Sequence, residues 1–88
     1  ERATLHNADG VSVTLERVVA GTMVPARTHS GGEEIFVIAG SVKIIDADRV
    51  VLDAWSWSRR AGAQHAALAA LTDVVLWIKR GHLPVEPR

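Results

Sequence analysis

Apolar residues recur at every second position over several stretches of this 88-residue chain. Val11, Val13 and Leu15 alternate with Ser12, Thr14 and Glu16, the pattern of a half-buried strand with its apolar side inward; Val18 and Val19 extend it to a turn at Gly21. Thr22 to Val24 is a short extended piece, and Pro25 suits an edge or a bend there because it cannot donate to a ladder. Ile35 to Ala39 is almost wholly apolar and predicts a strand buried on both faces, or on one face with the other against a dimer partner. Val42 to Ile45 predicts the next strand; a turn at Asp46-Ala47-Asp48 returns it as Arg49 to Leu52. Trp55 and Trp57 alternate with Ser56 and Ser58 in another strand, whose indoles either line the interior or form a contact patch. The large area an indole buries favours the interior. Ala66 to Leu71 is helical by propensity but too short to stand as a helix, so it reads as strand or irregular chain. Val74 to Ile78 is a strong buried strand closed by Lys79-Arg80-Gly81. Asn7-Ala8-Asp9-Gly10 reads as a turn, and the tail from His82 as extended and peripheral.

These signals give about eight short strands, turns every 6–12 residues and no helix, which is the pattern of an all-β sandwich or small antiparallel barrel. The length predicts a single domain over residues 1–88.

Chemistry concentrates between Gly21 and Gly40. Arg27 and His29 stand two apart and so share a face if extended. Gly31-Gly32 permits a hairpin, from which Glu33 would start the return strand near His29. Glu34 points the opposite way. Imidazole and carboxylate converging on an interior make half of a metal site.

Composition narrows the function classes. Ten basic and ten acidic residues leave zero net charge, against the basic surplus of a nucleic-acid binder. No apolar stretch nears the ~20 residues of a membrane span, and the start shows no signal-peptide pattern. Cysteine is absent, which removes disulfides and thiolate ligands and fits a cytoplasmic protein. No nucleophile elbow, phosphate loop or dinucleotide fingerprint is present.

Two segments together resemble the cupin superfamily (the RmlC-like fold). Its first motif is Gly, five residues, His-x-His, three or four residues, Glu, six residues, Gly. Here Gly21 is followed by five residues, then Arg27-Thr28-His29, three residues, Glu33, six residues and Gly40. Its second motif is Gly, five residues, Pro-x-Gly, two residues, His. Here Ala54 is followed by five residues, then Arg60-Ala61-Gly62, two residues and His65. The wording of THSGGEEIFVIAG and LWIKRGHLP is similar to the cupin modules of zinc-binding anti-sigma factors and of acetylacetone dioxygenase-like proteins. The resemblance implies a cupin barrel or double-sheet jelly roll of two antiparallel sheets closed into a cone. It implies metal ligands at His29, Glu33 and His65, with Arg27 in place of the usual first histidine.

Two arrangements follow. In one, His29, Glu33 and His65 hold a divalent metal (Zn, Fe, Mn or Ni). The protein then binds a small molecule through it, or acts as a metal-dependent dioxygenase- or isomerase-like enzyme on a small polar substrate. Arg27 opposes this: ~4 Å from a dication, repulsion reaches several kcal/mol even at an effective dielectric of about 20. In the other, Arg27 pairs with Glu33 or Glu34 and takes over the metal's structural role, leaving an interior for an anionic or polar ligand. Arg27, Trp55 and Trp57 are the expected ligand-binding residues. A homodimer is expected, since a chain this small buries only roughly 60–65% of its unfolded surface and the cupin barrels it resembles pair through sheet faces or strand exchange.

Overall fold

The structure, a computed structural model, describes residues 2–28, 31–46, 49–62 and 64–81. His29 and the tail from His82 lie outside the described residues.

Eleven strands are present among them: β1 (Arg2–Ala8), β2 (Val11–Val18), β3 (Met23–Val24), β4 (Arg27–Thr28), β5 (Glu33–Ala39), β6 (Val42–Ile45), β7 (Val51–Leu52), β8 (Trp57–Arg60), β9 (Gln64–His65), β10 (Ala67–Ala70) and β11 (Val74–Arg80). They form a five-stranded sheet β1-β2-β11-β5-β8, a four-stranded sheet β3-β10-β6-β7 and a small ladder β4-β9. Every pairing is antiparallel. Ile35, Val37, Val74, Leu76 and Ile78 of the larger sheet pack with Val42, Ile44, Leu52, Leu68 and Ala70 of the smaller one in a single apolar core. This is a double-sheet jelly roll. The sheets face each other without joining in one continuous ladder among the described residues, so the cone expected from the resemblance is a sandwich rather than a closed ring. No helix among the described residues is long and apolar enough to cross a membrane.

Alternation sets the central strand. Along β11, Val74, Leu76, Ile78 and Arg80 are buried while Val75, Trp77 and Lys79 are half-buried on the outer face. On β2 the phase is the reverse of the expected one. Thr14 and Glu16 are buried and Val13 and Leu15 are only half-buried outside, because Glu16 meets the buried Arg80 inside the sandwich and the exposed Arg2 at its edge. β1 forms a hairpin with β2 through Asp9 and Gly10, both at positive φ (55° and 76°). Its seven residues are all exposed, which is why its sequence carries no strand signal.

Two further expectations need correction. The chain around Gly31-Gly32 is not a hairpin of β4 on β5: β4 pairs with β9, and β5 lies between β11 and β8. Pro25 marks the break at which the chain leaves the four-stranded sheet after β3 and moves to the small ladder. Trp55 and Trp57 do not line the interior; they are 76% and 61% exposed. Trp55 sits in a turn before β8 at φ 72°, so it is not part of the strand expected for it.

Candidate functional site

Glu33 opens β5, and the registers around it place basic residues on both sides. Arg80 of β11 stands opposite it on one side and Arg60 of β8 on the other. The small ladder sets Arg27 opposite His65. Four separate segments thus deliver Arg27, Arg60, His65 and Arg80 to one end of the sandwich. Two glycine turns pack closely beside the cluster. The Gly81 amide donates to the Gly32 carbonyl at 3.1 Å, and a Cβ on Gly31 would lie 2.7 Å from the Gly81 backbone.

Glu33 is 3% exposed and both its oxygens are taken. Arg27 donates through Nε to Oε2 at 2.9 Å and through Nη2 to Oε1 at 2.6 Å, a bidentate fork. Arg80 donates through Nε to Oε2 at 2.9 Å. The same guanidinium lies 3.6 Å from Glu16 Oε2, which accepts from the Thr14 hydroxyl at 3.0 Å and is 3.4 Å from Arg2 Nε. Alternating charge therefore runs Arg27, Glu33, Arg80, Glu16, Arg2 across the inner face of the larger sheet. Burial alone would raise the Glu33 pKa, but the hydrogen bonds and charges of Arg27, then Arg80, outweigh it and hold the carboxyl below its ordinary value. Glu33 is accordingly a carboxylate at neutral pH. His65 is buried, with Nδ1 4.0 Å from Glu33 Oε1, longer than a hydrogen bond.

Of the three expected metal ligands, Glu33 and His65 meet inside the sandwich, and His29 lies outside the described residues. The arrangement does not fit a divalent metal. Two permanent cations sit on the carboxylate that would have to bind it, with both oxygens engaged. Arg27 lies in the cluster as expected, while Trp55 and Trp57 stand on the opposite side of the larger sheet. Arg80, Glu16 and Thr14 were not anticipated. Extending the alternation of Val74, Leu76 and Ile78 by one step finds Arg80; nothing in the pattern around Leu15 points to Glu16.

Above the cluster lies an open mouth of about 750 Å³, solvent included, lined by Ala26, Arg27, Thr28, Arg60, Gln64, His65 and Ala66. It narrows to a recess of about 260 Å³ against Glu33, Ile44, Ser58 and Leu68. Arg60 reaches across to Asp46 at 3.3 Å with its side chain 44% exposed.

Comparison with known proteins agrees with this architecture. No curated protein sequence matches. Among solved structures, a cupin superfamily protein from Desulfitobacterium hafniense superposes with a TM-score of 0.85 at 16% identity, over 91% of this chain and 74% of that one. A conserved Streptococcus pyogenes protein of unknown function gives 0.81 at 18%, over 100% and 75%. An acetylacetone dioxygenase from Acinetobacter johnsonii gives 0.78 at 16%, over 90% of this chain and 57% of its own. These likenesses show the fold. The sequence profile of the ChrR Cupin-like domain matches residues 1–84. Its reach over nearly the whole chain, together with the jelly roll and the Glu33–His65 meeting point, places this protein in the ChrR Cupin-like domain family of the cupin superfamily.

Proposed function

We propose that this chain is a small-molecule-binding cupin module that takes an anionic ligand in the mouth formed by Arg27, Arg60 and His65, with the Arg27–Glu33–Arg80 cluster in place of a metal. The observation that carries this reading is the bidentate fork of Arg27 on Glu33, backed by Arg80. It neutralises the buried carboxylate without a metal. Arg60 is the group left to recruit. Its bridge to Asp46 is partly exposed, with side chains 44% and 22% accessible, and surface pairs contribute about 0–1 kcal/mol. A carboxylate or phosphate entering the mouth can therefore take Arg60 from Asp46 at little cost and offer it a bidentate partner. The narrow recess favours a small ligand held near the entrance.

Thermal unfolding in the presence of small monocarboxylates, dicarboxylates and inorganic phosphate tests this. At least one anion should raise Tm in a salt-sensitive way, with the rise lost in Arg60→Ala and unaffected by chelator. No stabilisation by any anion would count against it.

The alternative is a divalent metal on His29, Glu33 and His65 serving a dioxygenase- or isomerase-like reaction. It requires both guanidiniums to leave Glu33. Near-stoichiometric metal that disappears in His65→Ala would establish that arrangement instead. The cupin fold hosts unrelated chemistries and does not choose among reactions.

A further inference from the structure

The chain has three tryptophans, one phenylalanine and no tyrosine, and every one of these rings lies outside the core on one face of the larger sheet. Registers line them up. Leu15 of β2 is opposite Trp77 of β11, Trp77 is opposite Phe36 of β5, and Phe36 is opposite Trp57 of β8. Trp55 packs edge-to-face on Phe36 with centroids 5.9 Å apart and planes at 62°. It is held at φ 72°, a strained region for a bulky residue, and yet it is 76% exposed. At about 150–250 Å² per aromatic side chain, Trp55 and Trp57 alone leave on the order of 250 Å² of indole in water. Phe36, Trp77 and Ile38 line the same shallow groove as Trp57 and enlarge the patch. An apolar patch of that extent marks a site of contact.

The charges around the rings are biased. The outward positions of β2, β11, β5 and β8 carry Arg17, Lys79 and Arg59 but one acid, Glu34. The chain as a whole has zero net charge, so this face is its positive side. At the β1–β2 end of the aromatic row lies a hollow of about 470 Å³, solvent included, lined by Arg2, Ala3, Leu15, Arg17 and Val75. Two guanidiniums beside aliphatic side chains suit a phosphate that carries an apolar body.

We infer that this face docks on an anionic lipid surface. The rings lie at the boundary between headgroups and acyl chains, and Arg17, Arg59 and Lys79 lie against the headgroup charge. Indoles favour that depth because each has an apolar body and one polar N–H. Val75, Leu15 and Ile38 flank the rings with aliphatic groups, which suit acyl chains and offer a sugar's hydroxyls nothing to bond. A contact of this face with itself would set three cations and one acid against the same set, whereas an anionic surface complements it. The protein lies on the bilayer and does not cross it.

Cosedimentation with vesicles tests the inference, comparing phosphatidylcholine alone with phosphatidylcholine containing about one third phosphatidylglycerol. The chain should bind the anionic vesicles far better than the neutral ones, with tryptophan emission moving to shorter wavelength. Binding should fall between about 0.1 and 1 M salt, as the screening length drops from about 10 to about 3 Å. Trp57→Glu should weaken it more than about tenfold, because affinity scales with the apolar area inserted, with circular dichroism unchanged. Trp55→Glu, in an exposed turn, should do the same and serves if Trp57→Glu fails to fold. Arg17→Ala and Lys79→Ala should each cost about fivefold, the scale for one basic residue at such a surface. Met23→Glu adds the same charge on the outside of the other sheet and should change binding by less than about twofold. Failure to bind anionic vesicles would overturn the inference, as would equal binding to neutral ones. Binding that survives both tryptophan changes with unshifted emission would overturn it too, since charge elsewhere would then hold the chain. A dimer in lipid-free solution that Trp57→Glu and Trp55→Glu both dissociate would also overturn it, assigning the face to a second copy.

Discussion

Glu33 holds its charge in a buried place only because Arg27 and Arg80 are there, and that dependence can be measured. Glu33→Gln leaves two buried guanidiniums without their counter-charge. It should destabilise the fold by about 3 kcal/mol in urea unfolding, within the range for breaking a buried pair from one side. Replacing the whole cluster, as Glu33→Leu with Arg27→Met and Arg80→Met, should cost less than Glu33→Gln alone, because no charge is then stranded. The pH dependence has a definite sign. Glu33 has a lowered pKa in the folded state, so its contribution is fully present above the ordinary glutamate value and is lost as pH falls through the lowered one. Urea midpoints should drop on going from pH 6 to pH 3 in the wild type, with a smaller drop in Glu33→Gln. At this scale the sequence was informative where motif and alternation agreed: Glu33 and His65 meet, and Arg27 pairs with Glu33 as one of the two arrangements anticipated. Arg80 was hidden because an arginine after Ile78 looks like a solvated strand end.

At the scale of elements, most strands could be read because one face of each is apolar. Each failure has its own physical cause. β1 is exposed on both faces and so shows no periodicity. β2 was read in the wrong phase because both of its faces contact other groups, and the more apolar one faces outward. β4 and β9 are two residues each, too short for any pattern, yet their pairing sets Arg27 opposite His65. The glycine turn beside this cluster is more exacting. Gly31 has φ 86°, and a Cβ there would meet the Gly81 backbone. Gly31→Ala should therefore cost on the order of 2 kcal/mol or more, and should loosen the junction of Arg80 with Glu33. Gly62 has an ordinary φ and open space around a Cβ. Gly62→Ala should change stability by less than about 0.5 kcal/mol, which makes it the matched control in the same urea series.

Over the whole molecule, two surfaces carry the distinctive side chains. The inner end of the sandwich carries the charged cluster and the mouth, and the outer face of the larger sheet carries the aromatic row. The tryptophans were expected inside on the ground that indoles bury area where they can. The fold class was legible because turn spacing and strand alternation are properties of the whole chain. The ligand was not, because cupin motif spacing records where side chains meet and not what occupies the space between them. The most direct test of the central claim, that two arginines hold Glu33 in a metal's place, is elemental analysis of protein purified without a metal-affinity tag. The account predicts far less than one equivalent of Zn, Fe, Mn or Ni per chain; close to one equivalent in the wild type, absent in Glu33→Gln, would contradict it.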